Sequence, residues 1–191
     1  MCQDGRVQEL REGLWTWTAP HPDWTPEEGG PDGWSRDVRS YACDTGDTLV
    51  LLDPLDPPSL VDELATGRHA AVVLTTPSHR RSADAVCSRL GAHVFESASG
   101  DLPAGLEARP SYSPGEALVW IPAHGALVAG DALLGEPRLR VPDPWLPDDE
   151  RRREAREALR PLLALPIELL LPTHGDPITT GAREALAEAL A

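Results

Sequence analysis

Three short polar clusters carry the residues able to do chemistry, and each directly follows an apolar run. They are Thr75-Thr76-Pro77-Ser78-His79-Arg80-Arg81, Gly130-Asp131 and Thr173-His174-Gly175-Asp176. His79, Asp131 and His174 are types that exchange protons or ligate a metal ion. Arg80 and Arg81 are fixed cations whose planar forks grip a carboxylate or a phosphate. Ser78 adds a hydroxyl, and Tyr112, in the later stretch Ser111-Tyr112-Ser113-Pro114-Gly115, adds another. Taken singly, each cluster also reads as an ordinary turn, because Gly-Asp and His-Gly are common turn pairs. Taken together they fall where layered α/β proteins collect ligands, outside the carboxyl ends of strands.

The elements that must position these clusters are legible from periodicity. Val7 to Thr18 reads as strand and then breaks at Ala19-Pro20-His21-Pro22 into a loop, placed within 17–37, that carries Trp24 and Trp34. A structureless loop of that length is either a functional lid or plain disorder, and both readings stay open. Val38 to Cys43 and Thr48 to Leu52 flank Asp44-Thr45-Gly46-Asp47, a hairpin signal. Asp56 and Pro57 read as the start of a helix carrying Leu60, Val61 and Leu64. Ala70 to Thr75 is an unbroken apolar run, the pattern of a strand covered on both faces. Ser82 to Leu90 reads as a second helix, and His93 to Phe95 as a short strand.

The second half repeats the alternation. Ala117 to Ile121 and Ala126 to Ala129 form a hairpin around His124, and Glu168 to Leu171 a further buried strand. A helix begins after Asp148 and is interrupted by Pro161, and Thr180 reads as the cap of a last one. Trp15, Trp17 and Trp120 read as core or half-buried faces. Trp145, between prolines, reads as lining a cleft. The run Arg151-Arg152-Arg153 has acids around it and reads as a solvated helix face.

Composition narrows the class. The chain has 191 residues, enough for one core, and is taken as a single domain over 1–191. Its 17 basic against 31 acidic residues give a net charge of −14, which repels polyanions, so neither nucleic acid nor an acidic membrane surface is an expected partner. Cys2, Cys43 and Cys87 form no metal knuckle and suggest no disulfide framework. A charged N-terminus without an apolar stretch completes the expectation of a cytoplasmic protein.

In order, the segments LVLLDPL, VVLTTPSHRRSADAV, SYSPGEALVWIPAHGALVAGDALLG and LLLPTHGDPI resemble the metallo-β-lactamase superfamily over nearly the whole chain. The resemblance implies an αββα sandwich of two mixed β-sheets covered by helices, with the site on one edge. It also implies a hydrolase whose histidines and aspartates hold one or two metal ions, usually zinc, that activate water. Asp131 and His174 match the family's Gly-Asp and late His-Gly positions, and Asp53 the acid that ends a strand. With the strand VVLT aligned directly, however, the metal-loop positions are Thr76, Ser78, Arg80 and Arg81, and Tyr112 stands at a further histidine position.

Two ligands hold a metal poorly. Arginines near it oppose it, since like unit charges about 4 Å apart repel by roughly 4 kcal/mol at an effective dielectric of 20. The leading expectation is therefore a degenerate site without cofactor, in which Arg80 or Arg81 forms a bidentate pair with Asp131. The rim of Arg80, Arg81, Ser78 and Tyr112 then receives a small anionic ligand, or the chain is a scaffold. The alternative is a hydrolase of small esters or thioesters in which His79, shifted by one residue, joins Asp131 and His174 around one zinc or iron ion. A metal-free variant of it uses His174 as base. His69, His93 and His124 read as surface or structural, and His21 as a loop residue able to reach the rim. A homodimer stays open.

Overall fold

The computed structural model describes residues 7–30 and 33–191. Cys2, the charged N-terminal residues 1–6 and positions 31 and 32 of the long loop lie outside the described residues. Two sheets form. The first takes β1 (Gln8–Arg11), β2 (Leu14–Pro20), β3 (Asp37–Asp44), β4 (Thr48–Leu52), β5 (His69–Leu74) and β6 (His93–Glu96) in that spatial order. β1 to β4 pair antiparallel, and β4, β5 and β6 run parallel. The second sheet has the order β10-β9-β8-β7, from β7 (Glu107–Pro110), β8 (Ala117–Ile121), β9 (Ala126–Gly130) and β10 (Leu169–Pro172), with only β9 and β10 parallel.

The alternation of side chains along each strand sets the layers. Val50 and Leu52 of β4, Val73 of β5, Val119 and Ile121 of β8, Val128 of β9 and Leu171 of β10 meet between the sheets. Their neighbours Leu49, Leu51, Val72 and Leu74 face the other way, onto Val61 of α1 (Ser59–Ala65) and Val86 of α2 (Ala83–Leu90). On the far side Leu118, Trp120, Leu127 and Leu170 pack on Ala155 and Leu159 of α3 (Asp149–Leu159) and on Leu186 of α4 (Ala182–Ala189). The result is the expected αββα sandwich. Trp17 and Trp120 are buried, and Trp17 Nε1 donates to the Leu55 carbonyl at 2.8 Å.

Local expectations shift at a few points. β2 runs on to Pro20, so the connection to β3 covers 21–36. Asp56 does not cap α1; Pro58 precedes the helix, and Asp56, at φ 41°, accepts from the Ser82 hydroxyl at 3.2 Å instead. Gly181 rather than Thr180 occupies the cap of α4. β7 carries too few apolar residues to show a strand pattern and gains its place by pairing with β8.

The carboxyl ends of β4, β5, β9 and β10 open on one edge. The sheets are tied there by a Val38–His174 bridge and by the Arg39 amide donating to the Thr173 carbonyl at 2.8 Å. Gly130 makes the close approach possible: its φ is +55°, and a Cβ there would sit 2.6 Å from Thr75 Oγ1. Gly130→Ala is expected to lower stability by about 2 kcal/mol, read as a lower urea midpoint at unchanged m. An unchanged midpoint contradicts this packing.

Candidate functional site

Asp53 directly follows β4, and the chain holds it at φ 47°. Its Oδ1 accepts from the Thr75 amide at 2.8 Å and its Oδ2 from the Thr75 hydroxyl at 2.6 Å. After β5, Pro77 starts a tight turn over Pro77–Arg80 that points His79 inward and leaves Arg80 outside. His79 is 1% exposed. Its Nδ1 lies 3.0 Å from Asp53 Oδ2, and its Nε2 lies 3.2 Å from Asp131 Oδ2 and 3.1 Å from Asp131 Oδ1. One imidazole thus spans the carboxylates that follow β4 and β9.

Asp131 is oriented from below by Glu116, whose Oε1 accepts from the Asp131 amide at 3.1 Å while its Oε2 accepts from the Ser111 hydroxyl at 2.7 Å. His174, after β10, brings Nε2 to 3.2 Å from Asp131 Oδ1. His174 Nδ1, on the far side of the ring, is buried without a hydrogen-bond partner. Over His174 lies Trp34 from the 21–36 loop, ring centres 4.4 Å apart, with His21 edge-on to Trp34 at 5.1 Å. Trp145 stands edge-on to His174 at 6.2 Å and is 45% exposed. The loop is held down by the Ser35 amide donating to Glu136 Oε1 at 2.6 Å and by Arg140 Nη2 donating to the Gly33 carbonyl at 2.7 Å.

The charges follow from this geometry. Burial works against a charged His79, but Asp53 and Asp131 outweigh it and raise its pKa to about 9. Burial alone would raise Asp131, yet His79 and His174 hold its carboxyl well below the usual carboxylate range. Glu116 is pushed up to about 7 by burial, against the hydrogen bond from Ser111. Burial also draws Arg81 down, while the fields of Asp53 and Asp131 oppose the shift. His21 is lowered by burial and then by the Arg81 cation.

The expected bidentate pair of Arg80 or Arg81 with Asp131 does not form. Arg80 is exposed and grips Asp84 through Nε at 3.1 Å and Nη2 at 2.7 Å, because Asp84 sits four residues on at the start of α2. Arg81, at φ 21° and ψ −106°, turns back toward the site, but its Nε and Nη1 are buried without hydrogen-bond partners. Histidines have taken Asp131 instead. Ser78 is exposed and bonds with the Thr76 hydroxyl at 3.2 Å, and Tyr112 is half-buried against the core beneath the second sheet. His79, Asp131 and His174 do come together.

Sequence reasoning missed Glu116 and the part played by Trp34. Glu116 is an acid directly before a buried strand, a signal open to a satisfiability argument. Nothing local marks Trp34 as a neighbour of His174. His69, His93 and His124 lie away from this cluster, and Arg151 to Arg153 lie on α3 with Arg151 paired to Glu154 and Arg152 to Asp149.

The donor set does not suit a metal ion as it stands. His79, with both ring nitrogens against carboxylates, carries the proton that must leave before either nitrogen can ligate. Among the described residues no group of three or more His, Cys, Asp or Glu side chains is arranged to hold an ion.

An αββα sandwich with its polar residues gathered on one edge is the class that fold and site define. The model of the metallo-β-lactamase superfamily matches residues 96–174. Among solved structures, that of VMB-1 at pH 5.5 aligns with a TM-score of 0.65 at 11% identity, covering 100% of this chain and 98% of that one. The DIM-1 metallo-β-lactamase aligns with a TM-score of 0.64 at 12% identity over 98% and 97%. These findings support the metallo-β-lactamase superfamily and show its fold. No curated protein matches in sequence.

The His79 bridge has a signed pH dependence. Its pKa is raised from 6.5 to about 9, so its stabilisation is complete below pH 6.5 and lost as pH rises through 9. Asp131 is lowered from 3.8, so its share is complete above that value and lost on acidification. Urea unfolding of the wild type and His79→Gln between pH 6 and 10 is expected to show their difference shrinking toward pH 10. Parallel curves contradict the bridge.

Proposed function

We propose that this chain is a metal-free, non-hydrolytic protein that binds a small anionic molecule at the edge carrying His79, Asp131 and His174, its ancestral metal motif being degenerate. The observation that carries this reading is Arg81, whose Nε and Nη1 are buried without partners beside two carboxylates that His79 already bridges. A buried unpartnered donor costs roughly 1–3 kcal/mol, and an anion that meets it recovers that penalty. Thr173 Oγ1 and His174 Nδ1 are likewise buried without hydrogen-bond partners. Base catalysis by His79 is disfavoured by charge: burial opposes its protonation, but Asp53 and Asp131 raise its pKa to about 9, so near neutrality it offers no free nitrogen to accept a proton.

The net charge of −14 favours a small ligand over a polyanion. Free Cys43 and Cys87 fit a reducing, cytoplasmic setting. No helix among the described residues is long and apolar enough to cross a membrane. A second reading, a hydrolase of small esters or thioesters with one zinc or iron ion, is favoured by one observation: His79 Nε2 and His174 Nε2 approach the same Asp131 oxygen at 3.1 and 3.2 Å.

Thermal unfolding of protein purified without a chelating column separates the two. Acetate at constant ionic strength is expected to raise Tm, by mass action on the folded state, and Arg81→Gln to remove that rise, while EDTA leaves Tm unchanged. A stoichiometric metal ion that survives purification, stabilises the fold and is required for ester hydrolysis overturns the proposal in favour of the second reading.

A further inference from the structure

We infer that a cleft on the helix-covered face of the second sheet is a binding site for a small phosphate monoester, gripped by Arg138 and Arg152. The cleft, of about 620 Å³, lies between the 138–141 segment, the turn at Asp143–Trp145, α3 and α4. None of His79, Arg81, Asp131 and His174 lines it, so the inference stands apart from the reading of the edge. Its sign is opposite to that of the molecule. The chain carries −14, yet the guanidinium groups of Arg138, Arg140, Arg152 and Arg156 line this one cleft against the carboxylates of Asp143 and Glu188. A terminal carboxylate at Ala191 would still leave a positive charge over. An anion is therefore drawn to this cleft from a surface that elsewhere repels it.

The four cations differ in what they have left to give. Arg156 is spent, its fork closed on Asp143 at 2.7 and 2.9 Å, and Arg140 donates to the Glu136 and Gly33 carbonyls. Arg138 is exposed and makes no hydrogen bond or ion pair among the described residues. Arg152 holds the Asp143 carbonyl through Nε at 3.3 Å and Asp149 through Nη1 at 2.8 Å, while its Nη2 makes no bond among the described residues. The Asp149 carboxylate is 91% exposed, and a solvated pair of that kind contributes little, so an incoming anion displaces it readily. Two arginines that reach in from different elements are met best by an acceptor with oxygens in several directions. A phosphoryl group offers three oxygens and a charge of about −1.5 to −2 near neutrality, whereas a carboxylate offers two in one plane and a single charge. The cleft has the size of a small-molecule site rather than of a bare ion. Leu139, Val141 and Ala189 give it an apolar wall for the organic part of the ester.

Isothermal titration and nitrogen-15 NMR of the arginine side chains test this at pH 7.5 and constant ionic strength, with glycerol 2-phosphate, dimethyl phosphate and chloride as probes. Glycerol 2-phosphate is expected to bind the wild type and to shift the Nε resonances of Arg138 and Arg152, which chloride leaves in place. It is expected to bind about tenfold tighter than dimethyl phosphate, which keeps the tetrahedral group but carries one charge. Arg138→Gln combined with Arg152→Gln, both outside the core, is expected to weaken glycerol 2-phosphate by about tenfold or more at unchanged Tm. Arg81→Gln, a change at the edge alone, is expected to leave that binding as it was. The inference is overturned by glycerol 2-phosphate that does not bind, that shifts Arg138 and Arg152 no more than chloride does, or that binds the double variant as tightly as the wild type. Equal affinity for dimethyl phosphate overturns the choice of a monoester. Binding lost in Arg81→Gln and kept in the double variant moves the ligand to the edge and overturns the cleft.

Discussion

The edge of this molecule depends on one imidazole held between two acids. Asp53 follows a strand of the first sheet and Asp131 a strand of the second, and without a positive charge between them the two carboxylates would repel across the seam. His79 supplies that charge, with Nδ1 3.0 Å from Asp53 and Nε2 3.1 Å from Asp131. Such a bridge is not a cheap source of stability, since each charge was taken out of water first. Its value is positional. It sets the distance between the two sheet ends and determines which donors are spent and which are left over.

The leftovers follow from that assignment. With both carboxylates engaged by His79, Arg81 has nothing to pair with although its backbone, at φ 21°, is bent to bring it in. Strained backbone at a functional edge is held only where the surroundings over-determine it. Here the surroundings are the tight turn on one side and α2 on the other. The 21–36 loop closes over His174 through Trp34 and is tied to the 135–140 segment through Ser35 and Arg140. The same contacts that shield the histidines leave Trp145 and part of Asp131 in solvent. The edge therefore has a sealed interior and an open lip.

Much of the fold could be read from residues alone. The unbroken apolar runs of β5 and β10, the hairpins around residues 44–47 and 122–125, and the helix capped by Asp148 each carry a pattern that local physics reproduces. The convergence of His79, Asp131 and His174 was open to the sequence as an alternative, because each follows a buried strand. Which residue of the 75–81 segment points inward was not. Direct alignment to the family's loop puts Thr76 and Ser78 inside, whereas the turn begins at Pro77 and presents His79. A register change of one residue leaves no trace in composition or periodicity. Arg80 went astray for a related reason: Asp84, four residues on, offers a solvated partner that competes with any buried one. Trp34 reaches His174 by a tertiary approach that no local pattern encodes.

Nitrogen-15 NMR of the His79 side chain at pH 7.5 tests the central claim most directly. An imidazole bridging two carboxylates carries protons on both ring nitrogens, so both resonances are expected at imidazolium positions, and Asp53→Asn is expected to return the ring to the neutral form at that pH. A neutral His79 in the wild type, or a ring nitrogen bound to a metal ion, contradicts the account.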